Sequence, residues 1–456
     1  MVHYTSQYQL KIEEFGNLYQ MKLDPNNRWI QLAYHFPWDD CIRIYTKQFS
    51  EMGRKTINPR IVIGSIIIKH KLNLSDEETL LLIRENPYMQ YFLGLDEFYP
   101  NSLFTPSLFT EWRKKLGNET FNEFSDVLAV ICHGDKMVAP SAEGAEPKNR
   151  GKLKLDATVA DQNITYPNDL GLLNKAREKT EQMIDILYDE LRDELKVKPR
   201  TYRKVARQKY LAESKKRQVN KKTLRSAIRY HLNCLDRNTG HINRMLDMLG
   251  EENPLGYKRM REFWIIQTVN DQQRQMYDRK ENRCDDRIVS LSQPYVRPIL
   301  RGKSGKKVEF GMKVGLSLAD GFARAETLSW DAYNESADLI PHAESYKQLY
   351  GYYPELIQVD KIYGTNANRK WCQARNIRMT VISKGPKAEL SPYEKRKRRK
   401  EFNERNAVEG KIGQAKQGYG LNNIRAKLSN TSESWIAATL FITNLVKFAE
   451  LQGFSF

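Results

Sequence analysis

The chain has 456 residues, which is enough for two or three domains with a substantial core. Its formal net charge is +18, with 74 lysines and arginines against 56 acids, and a surplus of this size favours a polyanionic partner, most often nucleic acid, over simple solubility. The five cysteines include no CxxC pair, their number is odd and the seven histidines form no ligand cluster with them. This pattern argues against a disulfide framework and a zinc site and favours a reducing cytoplasm.

The N-terminus begins MVHYTSQYQL and lacks the apolar core of a signal peptide. The longest apolar run, residues 61–68, is too short to cross a bilayer. We therefore expect a soluble protein of the cytoplasm that has no membrane partner.

Residues 1–140 are predicted to form an all-α domain that binds DNA or mediates dimerisation. A helix is predicted from Pro59 to Lys71, and Ser75 and Glu78 have capping-box spacing at the start of another. A third helix is predicted from Pro106 to Leu116, and its last turn is basic. Three short helices with a basic last member fit a helix-turn-helix-like DNA module and an ordinary helical bundle equally well.

Residues 141–152 are rich in Pro, Gly, Ser and charge, which is typical of a linker. The apolar run from Leu153 to Val159 predicts a strand, and it opens the first part of a second domain at residues 153–169. Residues 170–283 are predicted to form a basic helical insertion. The cations between Arg200 and Lys222 are nearly free of acids; they are either a solvated face or a surface for a phosphate backbone, and the second is favoured in so basic a chain.

Residues 284–456 are predicted to form the remainder of the second domain, with a tight turn at 319–321 and an amphipathic C-terminal helix packed on the core. Strands are predicted at 287–291, 308–318, 322–328, 356–360 and 377–382, and helices at 335–350, 366–376, around residue 409 and at 435–451. This order indicates an α/β fold with a mixed sheet covered on both faces.

Four residues near the C-terminus, Phe402, Arg405, Glu409 and Lys416, carry the clearest chemical pattern. On one helix at 100° per residue they fall within about 60° of one another. A carboxylate on that stripe suits a divalent metal, and the cations beside it suit phosphate oxygens. The pattern therefore indicates phosphodiester chemistry.

Two aspartates complete a candidate metal site. Asp156 and Asp360 each follow an apolar run of strand length, where an unpaired carboxylate is costly without a cation. With Glu409 they supply hard oxygen ligands for two Mg²⁺ ions roughly 3.5–4 Å apart, one to activate the attacking oxygen and one to stabilise the leaving oxygen. The alternative is that both aspartates are N-caps or loop residues. Glu404 is a weaker candidate because it lies about 140° around the helix from Glu409.

With these residues the chain resembles the DDE transposases of bacterial insertion sequences, of the groups numbered four and five. The signature of those groups is Tyr-x2-Arg-x3-Glu-x6-Lys. Arg405, Glu409 and Lys416 match its spacing in full, whereas Phe402 replaces the tyrosine and can keep only its ring packing. The segments LKLDATVADQNITYPND and LIQVDKIYG match the contexts of the first and second acids of the family.

The resemblance implies an RNase H-like core, with the first two acids on strands, the third on a helix and a long helical insertion after the first strand. It implies a transposase that cuts DNA at the transposon ends and joins the freed 3′-OH to target DNA. Two Mg²⁺ ions, with Mn²⁺ as a substitute, would be the cofactors. Double-stranded DNA, as terminal inverted repeats and as target, and a second copy of the chain would be the partners, in the cytoplasm at the nucleoid.

Further DNA contacts are expected around the acids. Arg405 and Lys416 are expected to hold phosphates near the scissile bond. Trp330 either stacks on a base displaced from the DNA end or belongs to the core, as such a residue more often does. A basic run is expected to contact the DNA backbone, the alternatives being a solvated loop and a localisation-like tract. That run consists of Lys395, Arg396, Lys397, Arg398, Arg399 and Lys400.

Two other functions stay open at the level of sequence. One is a catalytically silent DNA-binding protein descended from a transposase, and the other is a different RNase H-like nuclease, such as a junction resolvase. The three acids together with Arg405 and Lys416 argue against the first.

Overall fold

The computed structural model describes residues 23–49, 56–137, 148–218, 220–300, 308–381 and 391–456. It contains two compact units, one formed by Met1–Gln162 with Met312–Phe456 and the other by Asn163–Gly311. Most of the predicted linker at 141–152 lies outside the described residues, and the predicted domain boundaries stay predictions.

In its described residues the first unit begins with seven helices, two of which start where local capping chemistry predicts. The helices are α1 Arg28–His35, α2 Trp38–Thr46, α3 Pro59–Lys71, α4 Asp76–Glu85, α5 Pro87–Phe92, α6 Leu108–Lys115 and α7 Asn118–Met137. The Asn58 side chain accepts a hydrogen bond from the Arg60 N–H at the start of α3. Ser75 and Glu78 form the predicted capping box of α4. The predicted third helix, α6, begins two residues later than expected.

A mixed sheet of six strands runs in the order β2-β3-β1-β5-β6, and β4 pairs with β3. The strands are β1 Lys152–Asp161, β2 Arg297–Leu300, β3 Val308–Ala319, β4 Phe322–Ser329, β5 Leu356–Gln358 and β6 Arg378–Met379. β5 is parallel to both β1 and β6, whereas β3 is antiparallel to both β2 and β4. The predicted turn between β3 and β4 is confirmed, because Asp320 and Gly321 have φ of 48° and 91°, as a tight hairpin requires.

Five more helices belong to the first unit, and the last of them forms the centre of its largest core. They are α12 Leu339–Tyr350, α13 Asn366–Ala374, α14 Pro392–Glu404, α15 Asn406–Gly418 and α16 Ser429–Leu451. α16 is buried on most faces, because α3, α6 and α7 pack against it and β4 also contacts it. By length and composition α16 could cross a membrane, yet most of its apolar stretch is buried inside the protein, as in a core helix. The prediction that this helix packs on the core is confirmed.

The second unit contains four helices and β2. The helices are α8 Asp169–Glu190, α9 Arg203–Ser214, α10 Lys221–Leu249 and α11 Gly256–Arg279. Leu173, Ile184, Leu235 and Ile266 are fully buried in one apolar cluster. The helical periodicity predicted for this part of the chain is therefore confirmed.

The strand predicted at 287–291 is wrong. The Ile288 N–H donates to the side-chain oxygen of Gln272 (3.0 Å), and the Arg287 guanidinium binds Asp169. Ile288 packs with Val269 in a small apolar cluster. The alternating apolar residues thus serve side-chain packing, and side-chain contacts take the backbone hydrogen bond that a strand would use.

A buried ion-pair cluster fixes α3, α4 and α6 to one another. The Asp76 carboxylate accepts two hydrogen bonds from Arg113 (3.0 and 2.7 Å) and lies 2.9 Å from the ammonium of Lys69. The Lys69 side chain is only 1% exposed, and its ammonium lies 4.6 Å from the ring centroid of Trp435. One cation of the basic helix α6, Arg113, is thus used inside the fold.

Asp76→Asn should lower the free energy of unfolding at pH 7 by about 3 kcal/mol, because it leaves two largely buried cations without their anion. Burial acts to raise the pKa of Asp76, but Arg113 and Lys69 outweigh it and lower the pKa. The contribution is therefore complete above pH 4 or so and is lost as the pH falls through the lowered folded-state pKa. Urea unfolding at pH 7 and pH 3 measures both effects.

Glu77→Gln is the matched control, because Glu77 is the exposed neighbour on the same helix. It should change the stability by less than about 0.5 kcal/mol. Equal stabilities of the Asp76→Asn and Glu77→Gln proteins at pH 7 would contradict the assigned role of Asp76.

Candidate active site

Asp156 lies in the middle of β1, and the pairing of β1 with β5 determines what lies opposite. The paired residues Lys152 and Leu356, and Lys154 and Gln358, are each 204 positions apart. Asp156 and Asp360 share that offset. Adjacent parallel strands lie about 4.8 Å apart, and residues two positions along point to the same face. The pairing ends at Lys154 and Gln358, and the two aspartates follow those residues by two positions on neighbouring chain segments.

Asp360 lies two residues beyond the end of β5, because the strand ends at Gln358 and not at Asp360 as predicted. Its backbone is still extended (φ −77°, ψ 168°), and its carboxylate accepts a hydrogen bond from the Lys361 N–H (2.6 Å). It caps the 3-10 turn Lys361–Tyr363 and is exposed. Asp360 is thus an N-cap, and its exposed carboxylate also faces solvent, where it is accessible to a ligand.

The end of α14 is held over β1 and β5 by polar contacts on the same face of the sheet. The Gln358 side-chain amide donates to the Glu401 carbonyl oxygen (2.6 Å), and the Lys152 ammonium binds the Glu404 carboxylate (2.7 Å). Arg378 on β6 binds the Glu401 carboxylate (2.9 Å). These contacts place the junction between α14 and α15 beside the two aspartates.

Arg405 occupies that junction and connects two of the candidate acids. Its guanidinium binds Glu409 at 2.7 Å and lies 3.8 Å from the Asp156 carboxylate, and its side chain is only 10% exposed. The prediction that one helix carries residues 402–416 is wrong, because α14 ends at Glu404 and α15 begins at Asn406. The backbone of Arg405 remains helical, so the i, i+4 contact with Glu409 survives the break.

The surroundings of Asp156 raise the pKa of its carboxyl above the ordinary value. Burial is the main cause that raises the pKa of Asp156, and the neighbouring carboxylates Glu335 and Glu409 raise it further. The Ala157 N–H and the Arg405 guanidinium act in the opposite direction. A partly buried carboxylate among other acids is a group that a cation would stabilise.

Glu335 is a part of this environment that the sequence did not reveal. It begins the 3-10 turn Glu335–Asp338 ahead of α12 and binds the Lys313 ammonium at 3.0 Å. The fully buried Tyr363 lies near the same acids, since Glu335 and Asp156 help to raise its pKa after burial, the main cause. No local sequence motif marks Glu335, because folding alone brings it to Asp156.

The carboxylates of the site are suitable ligands for a divalent metal, but their side chains are not arranged around a common ion position. Carboxylate oxygens are the ligands that Mg²⁺ and Mn²⁺ prefer. Within the described residues no three His, Cys, Asp or Glu side chains are close enough to hold an ion. Instead the Arg405 guanidinium lies between Asp156 and Glu409. Glu409 is 45% exposed, so its side chain is free to turn once the ion pair opens.

The predicted DNA-contact residues have different surroundings. Phe402 is 53% exposed, and its ring centroid lies 5.8 Å from the Arg405 guanidinium carbon. Lys416 is half-buried on α15. The basic run Lys395–Lys400 lies on α14, and all of its side chains are exposed to solvent. Trp330 packs against an apolar cluster and donates to the Ser429 hydroxyl (2.8 Å), which supports the core alternative for that residue.

Two transposase families match parts of the chain. Residues 357–446 match the family model of the transposase DDE domain, and residues 17–115 match that of the transposase domain (DUF772). The uncharacterized protein ORF8 in the nfe locus of Rhizobium meliloti is 29% identical over 167 residues, which cover 35% of this chain and 76% of that protein. No solved structure matches the chain significantly.

Arg405→Met should tighten the binding of Mn²⁺ to the DNA-free protein by about tenfold, or roughly 1.4 kcal/mol. The reason is that the guanidinium competes with a metal for Glu409 and repels a second cation beside Asp156. Electron paramagnetic resonance of free Mn²⁺ measures the dissociation constant.

The control is Lys400→Met, which also removes one positive charge but lies on the exposed face of α14. Its Mn²⁺ affinity should equal that of the unmodified chain. An Arg405→Met protein with unchanged or weaker Mn²⁺ binding would show that Arg405 does not compete at these carboxylates.

Proposed function

We propose that this chain, an insertion-sequence transposase of the DDE class, cuts DNA at transposon ends and joins the freed 3′-OH to target DNA by metal-dependent phosphoryl transfer. The observation that carries the proposal is the contact of one buried arginine, Arg405, with both Asp156 and Glu409, beside the segment that bears Asp360. The proposed catalytic residues and metal ligands are Asp156, Asp360 and Glu409.

The sheet supports an RNase H-like core for this function. β1, which contains Asp156, and β5, which precedes Asp360, are adjacent and parallel, and β3 and β4 form an antiparallel hairpin on the other side of β1. Glu409 comes from a helix that contacts β1. Asp156 and Glu409 are thus held on a strand and a helix, which position acids better than loops do.

Bound divalent ions, which we propose to be two Mg²⁺ with Mn²⁺ as a substitute, would activate the attacking oxygen and offset charge on the leaving oxygen. The chain's own residues hold the substrate. Arg405 and Lys416 bind phosphate oxygens near the scissile bond and offset the charge of the transition state. The exposed cations of α14 bind the DNA backbone on either side of it.

The proposed partners follow from the same reaction. Double-stranded DNA is bound both as the terminal inverted repeats of the element and as target. A homodimer would hold the two ends together in one complex. DNA of this kind is found at the nucleoid in the cytoplasm, which is the proposed location. Phe402 packs its exposed ring against the bound DNA, while the contact of Trp330 with a displaced base is the least supported of the proposed DNA contacts because its N–H is already bonded to Ser429.

Asp156→Asn, Asp360→Asn and Glu409→Gln should each lower Mg²⁺-dependent cleavage of the element's own ends by about a hundredfold or more. Each change keeps the size of the side chain and removes the charge that a metal requires. Binding to the same DNA in EDTA should change less than threefold or so, because the acids do not contact phosphate. Gel assays of nicking and of binding measure the two quantities separately.

Glu404→Gln is the matched control, since Glu404 lies five residues before Glu409 but faces Lys152 and Gln358. It should retain cleavage to within about tenfold. Full cleavage by any of the three acid variants removes that residue from the site. Normal end binding without strand transfer by the unmodified chain would instead favour a silent transposase-derived protein.

A further inference from the structure

The most basic part of the chain lies far from the candidate acids in sequence and is not needed to explain them. Residues 203–229 contain eleven lysines and arginines and one glutamate, in a chain whose net charge is +18. This segment comprises α9, the turn after it and the first two turns of α10, and is here termed the basic hairpin. Neither matched family region includes it.

The basic hairpin is an ordered antiparallel pair of helices. The Thr223 hydroxyl donates to the Glu213 carboxylate (3.1 Å), which closes the turn between α9 and α10. Further along, the Lys209 ammonium lies 3.8 Å from the ring centroid of Tyr230. Arg237 on α10 donates to the Thr201 carbonyl oxygen (2.7 Å) at the start of α9. Contacts at both ends and the middle hold the two helices in register.

Few of its cations are used inside the fold. Arg203 binds Asp185 at 2.7 Å, Lys216 binds Glu213 at 2.6 Å and Arg225 donates to the Tyr277 carbonyl oxygen at 2.7 Å. Apart from Lys209, whose ammonium contacts Tyr230, seven others are exposed and have no ion pair within the described part of the chain. These seven are Lys204, Arg207, Lys215, Arg217, Lys221, Lys222 and Arg229.

The arrangement of these cations destabilises the protein when no anion is bound. Lys221, Arg225 and Arg229 follow one another at i, i+4 spacing, and each such like-charge pair costs a helix about 0.2–0.5 kcal/mol. The first turn of the 29-residue α10 contains no acid, so Lys221 and Lys222 also face the positive end of the helix dipole. A bound polyanion removes both kinds of repulsion.

We propose that the basic hairpin binds the phosphate backbone of duplex DNA without reading its bases. The cations of α10 from 221 to 229 extend over roughly 12 Å along the helix, and duplex DNA presents one phosphate charge per ~1.7 Å of its axis. Long, exposed side chains without buried support bind charge and do not discriminate base edges. Such a surface suits target DNA, whose sequence varies. This role rests on the proposed function.

The test compares two variants of the full chain that lose the same charge. One carries Arg207→Gln, Lys215→Gln, Lys221→Gln and Lys222→Gln in the basic hairpin. The control carries the same exchange at four exposed cations of α11 and the residue after it. These are Lys258, Arg259, Arg261 and Lys280. Binding to a random-sequence duplex is measured in EDTA between 50 and 300 mM salt, and circular dichroism checks the helix content.

For the hairpin variant, the slope of log Kd against log salt concentration should be smaller by about three to four. The control should keep the slope of the unmodified chain. The same change should occur on the element's own ends, because no bases are read. Equal slopes for the two variants would overturn the proposal. A loss of affinity confined to the element's ends would also overturn it, as would binding of the hairpin to anionic phosphatidylglycerol vesicles but not to DNA.

Failure here is distinguishable from failure of the proposed function, because binding is measured without metal. A chain that binds DNA through the hairpin but never cuts it contradicts only the proposed reaction. A chain that cuts its ends with metal but has an unchanged salt slope in the hairpin variant contradicts only the hairpin.

Discussion

The parallel pairing of β1 with β5 is the constraint on which the candidate site depends. It brings together two chain segments 204 positions apart, and Asp156 and Asp360 each follow the last paired residues, Lys154 and Gln358, by two positions. A slip of one residue would turn one aspartate to the opposite face of the sheet. That opposite face is apolar, since Leu153, Leu155 and Ile357 are buried there in one cluster. Hydrophobic burial thus fixes the register, and the register determines where the segments that carry the two aspartates lie.

Arg405 explains how acids can be concentrated beside this sheet without a bound ion. A carboxylate removed from water needs hydrogen bonds or an opposite charge, and Asp156 receives one hydrogen bond from the Ala157 N–H and a guanidinium at 3.8 Å. The same guanidinium binds Glu409 more closely. Because Arg405 stands at the break between α14 and α15, the helix junction and the electrostatics of the site are coupled. On the proposed function, a substrate phosphate that draws Arg405 away would release both acids.

Local chemistry made much of the fold predictable, and long-range contacts account for what was missed. The capping box of α4, the hairpin turn at Asp320 and the strand around Asp156 depend on neighbours in sequence, and each is present. The strand at 287–291 failed because a glutamine on α11 takes its backbone hydrogen bond. The single helix through Glu409 failed because periodicity does not register a change of hydrogen bonding at one residue. The sequence did not reveal Glu335, because only folding brings it near Asp156.

The cations of this chain have two different relations to stability, and this has a consequence for function. Arg113 and Arg405 are nearly buried and bonded to acids, so losing either disrupts the fold or the site around it. The basic run of α14 and the basic hairpin consist of exposed side chains with few partners, so they contribute little to folding and some of them oppose it. Cations that do not stabilise the fold remain available to bind phosphate. Single substitutions of these exposed cations can therefore change the affinity for DNA while the sheet, the acids and Arg405 stay unchanged.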